Sequence, residues 1–138
     1  MFPWSSRESE EKFSKFVSWW LRGKKNYPTI NFVQSNANNL NDINDNSFDI
    51  VTSSYVLHGM SKEERRELLQ EMKRVSKKFI IIHDFTGKTT PFIAFLEFLE
   101  RSDYPYFKNH FITELNSMFS SVKKIEVENG AGLYIIKI

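Results

Sequence analysis

The chain has 138 residues, 41% of them hydrophobic and 26% charged, with a formal net charge of +2. Those values describe one ordinary globular domain expected to be soluble, and the near-balance of charge argues against a dedicated nucleic-acid binder, which usually carries a concentrated basic stripe. The absence of cysteine excludes disulfides, zinc–thiolate sites and cysteine nucleophiles. No run approaches the ~18 apolar residues of a membrane span, and Glu8, Glu10 and Glu11 are wrong for a signal peptide, so a cytoplasmic protein with no membrane contact is expected.

Residues 5–22 predict an amphipathic helix. Ser5 and Glu8 make a capping box, Phe13, Phe16, Val17, Trp19 and Trp20 recur at helical spacing, and Gly23 is expected to stop the helix. Tyr27-Pro28 forces an extended entry into a strand at Ile30-Asn31-Phe32-Val33. Residues 35–46, with six Asn and two Asp, read as a loop. Its Asp42-x-Asn44-x-Asn46 opening is that of a calcium loop, but Ser47 stands where the glycine is required and Ser53 where the bidentate Glu is, so no metal site is expected.

The second strand, Phe48–Ser53, runs into the hydroxyl residues Thr52, Ser53 and Ser54. A helix begins at Ser61, whose capping box is completed by Glu64, and buries Leu68, Leu69, Met72 and Val75. Phe79-Ile80-Ile81-Ile82 is a continuous apolar run, as expected of a strand covered on both faces. Thr90-Pro91 opens a Phe-rich helix with Phe92, Ile93, Phe95, Leu96, Phe98 and Leu99, read as a core helix or as the wall of a hydrophobic pocket or interface. A further helix is predicted to begin near Thr113, carrying Leu115, Met118 and Phe119. Two strands, Ile125–Glu128 and Leu133–Ile138, close the chain around the hairpin signal Asn129-Gly130-Ala131-Gly132. This order implies a single α/β domain over 1–138, with an N-terminal amphipathic helix over 1–28 and an α/β region over 29–138. Its sheet is expected to be mostly parallel, with a C-terminal antiparallel hairpin.

In open α/β sheets ligands sit beyond the carboxyl ends of the strands, so a strand that ends in small hydroxyl residues is a candidate binding edge. From about Ile30 onward the chain also resembles the later part of the class I S-adenosylmethionine-dependent methyltransferase fold. The resemblance is carried by Asn36-Ala37, Leu40, Phe48-Asp49, the helix ending Glu71-Met72-Lys73-Arg74-Val75, the strand Ile80-Ile81-Ile82-His83-Asp84 and the closing hairpin. It implies a truncated Rossmann-like sheet, S-adenosylmethionine as cofactor, and methyl transfer to a small-molecule or macromolecular acceptor. In the family's roles Asn36 and Ala37 would lie against the adenine, and Ser53 and Ser54 would line the methionine end. His58, His83 and Asp84 would stand at the rim, where an acceptor could be deprotonated.

The chain departs from the family in two places: no Gly-rich turn precedes Asn36, and the acidic residue that holds the ribose hydroxyls has no counterpart. The family's first two strands lie between its third and fourth. Without them the strand 48–53 has an open edge, expected either to pair with Ile30–Val33 or to form a homodimer through that edge. The alternative function is a non-catalytic methyltransferase-like module for binding or dimerisation. More local readings also stand: Ser53 and Ser54 as partners for backbone at a strand end, His58 as a loop or cap residue, and Asp84 as a cap of the following turn.

Overall fold

The computed structural model describes residues 17–18, 21–86, 104–127 and 130–138. The chain divides into two compact units, Met1–Ser35 and Asn36–Ile138, so residues 29–35 fall in the N-terminal one. The Phe-rich helix 92–99 and the Ser5–Glu8 capping box lie outside the described residues.

In the N-terminal unit, residues 17–18 and 21–26 are helical. The helix does not stop at Gly23. It runs on to 26, where Tyr27 N–H closes the last turn on Gly23 O at 2.9 Å, just before Pro28 makes helical backbone unfavourable. Gly23 serves close packing instead: a Cβ there would come within 3.0 Å of the Phe32 ring. The strand expected at Ile30–Val33 does not form. Ile30 N–H is taken by Tyr27 O at 3.0 Å in a turn, and Phe32 is spent on the neighbouring helix, while Ile30 and Val33 stay exposed. The expected pairing of this segment with the next strand therefore does not form either.

The described residues of the second unit form a four-stranded sheet with two helices. The elements are β1 (Phe48–Ser54), a 3₁₀ turn (Leu57–Gly59), α1 (Lys62–Val75), β2 (Ser76–Phe85), α2 (Tyr104–Met118), β3 (Val122–Glu126) and β4 (Ala131–Lys137), and the sheet order is β1-β2-β4-β3. β1 and β2 are parallel, joined by α1 as the crossover, and β2–β4 and β4–β3 are antiparallel. The Rossmann-like α/β class thus holds, with the antiparallel hairpin in place. Because Ile30–Val33 adds no ladder, β1–β2 is the parallel pair among the described residues. Near its start β2 carries one residue more than β1, between the pairs Phe48↔Ser76 and Ile50↔Phe79.

α1 has the predicted capping box: Glu64 N–H donates to Ser61 Oγ at 3.3 Å, and Ser61 N–H donates to Glu64 Oε2 at 2.8 Å. Glu63 and Glu64 at its start and Lys73 and Arg74 at its end complement the helix dipole. Leu68, Leu69, Met72 and Val75 are buried as predicted, each contributing about 1.5–3 kcal/mol by leaving water. The helix passes directly into β2, with no residue between Val75 and Ser76.

α2 begins well before Thr113, its described residues starting at Tyr104. Its inner face is the four-residue ladder Phe107, Phe111, Leu115 and, just past its end, Phe119. Together with α1 it covers the sheet face that carries Ile80, Ile82, Tyr134 and Ile136. The hairpin strands begin earlier than the apolar residues suggest, at Val122 and Ala131, and Gly130 sits at φ 75° in their turn.

Candidate functional site

The site begins where β1 runs out. Its last residue in the ladder, Ser54, pairs with His83, and Tyr55 N–H adds one more bond to His83 O at 2.8 Å. There the backbone turns sharply. Tyr55 is at φ 52°, a left-handed conformation that costs a non-glycine residue about 1 kcal/mol or more and recurs at functional sites. Its ring compensates by packing edge-on against His83 and Phe85, at centroid distances of 4.6 and 5.2 Å.

The chain then hooks over the end of β2, and Asp84 holds it there. Asp84 is 0% exposed, on the same face of β2 as Ile80 and Ile82. Its Oδ2 accepts Leu57 N–H at 3.0 Å and His58 N–H at 3.4 Å. Oδ1 accepts the His58 ring nitrogen Nδ1 at 2.8 Å and the Phe85 N–H at 2.9 Å. A carboxylate buried without partners would be prohibitively costly, and these donors offset the loss of water. Asp84 therefore does more than cap the residue after it: it anchors the 3₁₀ turn that follows the neighbouring strand, with Leu57 driven fully into the core.

The sequence neighbours His83 and Asp84 do not act as a pair, because successive strand residues point to opposite faces. His83 lies on the other face, with Nδ1 3.2 Å from Ser54 Oγ. Asp84 is instead joined with His58, 26 residues away in sequence. The His58 ring lies edge-on to Phe85 at 4.8 Å and Phe107 at 6.4 Å, with 27% of its side chain open. Tyr134, buried behind this group, donates to Phe85 O at 3.0 Å. Burial, with Asp84 nearby, pushes its hydroxyl up to about 12, which keeps it a donor.

The second limb of the site is the loop 36–46, strapped along α1. Near the start of the helix, Asn38 Nδ2 reaches Glu64 O and Glu67 Oε2, both at 3.4 Å. One turn on, Leu40 N–H donates to Glu71 Oε2 at 2.8 Å. At the far end Arg74 donates to Leu40 O (3.0 Å), Ile43 O (2.8 Å) and Asp45 Oδ1 (2.7 Å), and Arg74 O accepts Asn46 N–H at 2.9 Å. Glu71 grips the same guanidinium at 2.8 and 2.9 Å. Those bonds, with the Leu40 N–H, hold the Glu71 carboxyl down at about 2 and raise Arg74 further. The Glu71-x-x-Arg74 pattern is thus a loop clamp.

Because the loop descends α1 from its first turns to its last, Asn36 and Ala37 stand at the helix's N-terminal end. Ser53, Ser54 and His58 stand at that same end of the sheet. Asn36 and Ala37 are both exposed, and Asn36 Oδ1 accepts Asn38 N–H at 3.0 Å, closing a side-chain turn. Ser54 is exposed and Ser53 half-buried. Ser53, Ser54, His58 and His83 thus stand at the carboxyl end of the sheet with Asp84 beneath them, while Asn36 and Ala37 belong to the turn tied to the start of α1.

Three contributors escaped the sequence reading: Tyr55, Tyr134 and Arg65. Arg65 is 0% exposed and makes two hydrogen bonds to Glu114, while its third nitrogen donates to Met60 O, fixing the segment after the turn. Its spacing carried a signal, since position 65 falls on the stripe of 68, 69, 72 and 75. Among the described residues no three His, Asp or Glu side chains converge as a metal site.

The family model described as a methyltransferase domain matches residues 11–80. Among solved structures, the chain is similar to a SAM-dependent methyltransferase from Aquifex aeolicus (TM-score 0.59, 18% identity), over 86% of this chain and 61% of that one. It is also similar to the PH0226 protein from Pyrococcus horikoshii OT3 (TM-score 0.60, 15% identity), over 96% of this chain and 68% of that one. At these identities the likeness is one of fold, and the chain spans about three fifths of the Aquifex protein's length. No curated protein sequence matches the chain.

Proposed function

Because this chain belongs to the methyltransferase-domain family, we propose that the carboxyl end of its sheet forms one wall of an S-adenosylmethionine site, and that the chain acts in methyl transfer from that donor to an acceptor. What supports this reading is that two separate limbs each adjoin the start of α1. These are the 36–38 turn strapped along α1 and the Ser53–Ser54 end of β1.

The residues of that wall suit the donor. Asn36 Oδ1 accepts one backbone N–H and, as a carbonyl oxygen, has a second lone pair for an adenine amine. Ala37 beside it is small enough for a flat ring to approach, and Ser53 and Ser54 offer hydroxyls without bulk. The five glycines stand at 23, 59, 87, 130 and 132, which puts no Gly-rich turn ahead of Asn36 in these residues, and the fit is to one wall. When bound, S-adenosylmethionine supplies a methyl group already activated on a sulfonium sulfur. The protein's part is therefore chiefly to hold two reactants in line.

Calorimetry with S-adenosylhomocysteine tests the reading. Saturable one-to-one binding is expected, weakened about tenfold in Asn36→Leu by loss of one hydrogen bond. The absence of any heat at millimolar ligand overturns it. One observation favours a second reading, a binding module that dimerises through β1. Among the described residues β1 pairs only with β2, and Phe48 and Ile50 on it are 46% and 52% exposed. Sedimentation equilibrium separates the two: a concentration-dependent dimer abolished by Ile50→Lys supports the module, and a monomer throughout rejects it.

A further inference from the structure

We propose that the N-terminal unit is a docking surface for an anionic lipid bilayer, with Leu21, Tyr27, Ile30 and Val33 entering the boundary between headgroups and acyl chains. Arg22, Lys24 and Lys25 then meet the lipid phosphates. The proposal stands on that unit alone and does not draw on the S-adenosylmethionine reading.

Charge is the first observation. Residues 12–41 hold five Lys and Arg, at 12, 15, 22, 24 and 25, and no Asp or Glu. The whole chain carries +2, so the residues outside that stretch carry a net −3. Such asymmetry within one chain points to an anionic partner. Apolar exposure is the second observation. Leu21, Tyr27, Ile30 and Val33 are 55%, 59%, 53% and 68% exposed, all within residues 21–33 and beside three of those cations. Apolar side chains scattered singly over a surface are ordinary, whereas four so close in sequence are not.

The local fold presents these groups in a fixed arrangement. Tyr27 N–H closes on Gly23 O at 2.9 Å, Ile30 N–H closes on Tyr27 O at 3.0 Å, and Phe32 packs against Gly23. The turn that spends Phe32 on the helix thus leaves Ile30 and Val33 in water. On the helix itself Leu21 and Lys25 are one turn apart, so an aliphatic group and a cation share a side. A lysine stem can lie along apolar surface while its ammonium reaches a phosphate. Groups already held in place lose less freedom when they bind.

The kind of anionic partner follows from the side chains. Leu, Ile and Val have no aromatic face on which a base could stack, so a nucleic acid would leave them in water. Acyl chains take them readily. Trp and Tyr are favoured at headgroup level, and Trp19-Trp20 directly precedes Leu21 in the sequence. Basic residues alternating with Trp, Phe and Leu are the composition of segments that lie in the membrane interface. No described helix is long and apolar enough to cross a membrane, which bears on spanning and not on lying along a surface. The expectation of no membrane contact, drawn from spanning and leader patterns alone, gives way to this docking.

The test uses the full chain and its own fluorescence, because the three Trp residues stand at 4, 19 and 20 and report on this unit alone. Vesicles of mixed phosphatidylglycerol and phosphatidylcholine should sediment with the protein at about 0.1 M salt, with blue-shifted Trp emission that acyl-brominated lipid quenches. Pure phosphatidylcholine vesicles should bind about tenfold more weakly or less, as should the anionic vesicles at about 1 M salt. Arg22→Gln with Lys25→Gln should lower partition onto anionic vesicles about tenfold. Leu21→Asn with Val33→Asn, at side chains already exposed, should lower it by a similar factor. No binding to anionic vesicles overturns the proposal, and so does binding that ignores the Leu21 and Val33 exchanges. Tighter binding to polyuridylate or to polyglutamate than to the vesicles overturns it in favour of a nucleic acid or an acidic protein.

Discussion

Arg65 and Glu114 face each other across the contact between α1 and α2, with Arg65 Nε and Nη2 donating to the two carboxylate oxygens at 3.0 and 2.8 Å. Arg65 has no exposed surface and lies over the Phe107 ring at 5.4 Å. Breaking a buried pair from one side leaves a charge with no water, which typically costs about 3–5 kcal/mol. Glu114→Ala should therefore lower the urea midpoint strongly. The double replacement Arg65→Met with Glu114→Leu should recover most of the loss, because apolar residues of similar volume remove the desolvation cost.

Glu71 gives the fold an acid-sensitive component. Its carboxyl is depressed from 4.5 to about 2 by Arg74 and the Leu40 N–H. A depressed acid contributes stability that is present above its unfolded value and is lost as pH falls through the folded one. Thermal melts of the wild type and Glu71→Gln should differ most above pH 5 and converge between about pH 4.5 and 2.

Tyr134 acts at the other end of the scale. Its hydroxyl is raised from 10.0 to about 12, so its contribution is present below 10 and lost as pH rises through 12. Tyr134→Phe should cost about 1 kcal/mol at neutral pH by removing the bond to Phe85 O. The same variant should show a shallower loss of stability in alkali.

Gly132 is needed for space. A Cβ there would lie 2.1 Å from Thr86 Cγ2 and 3.0 Å from Ile125 O. Gly132→Ala should destabilise by about 1–3 kcal/mol, and Thr86→Ser in the same chain should recover part of that by removing the clashing methyl. Denaturant midpoints of the single and double variants decide it.

The parts of this fold legible in the sequence are those written in local spacing. The Ser61–Glu64 capping box, the 68-69-72-75 stripe, the β-rich run at 79–82 and the closing Gly turn each need only neighbouring residues. Ile30-Asn31-Phe32-Val33 is too short for its periodicity to separate a strand from a turn, and Phe32 packs against Gly23. The start of α2 lies earlier than Leu115 and Phe119 alone suggest, because the same four-residue step extends back to Phe107. The carboxyl end of the sheet is legible as an edge in Thr52-Ser53-Ser54. The wiring there is not legible, since the link from His58 to Asp84 depends on which way a distant strand residue points.

That last dependence turns on the direct passage from α1 into β2 and on the extra residue beside Lys77 and Lys78. Facing along a strand alternates, and from Phe79 onward the ladders of β2 with β1 and β4 hold Ile80, Ile82 and Asp84 to the inner face. The unmatched residue just before that run lets the end of α1 bury both Val75 and Ser76 and still deliver the same facing. Lys77 and Lys78 touch none of the site, yet the extra residue they supply joins the phase of the helix to the phase of the strand.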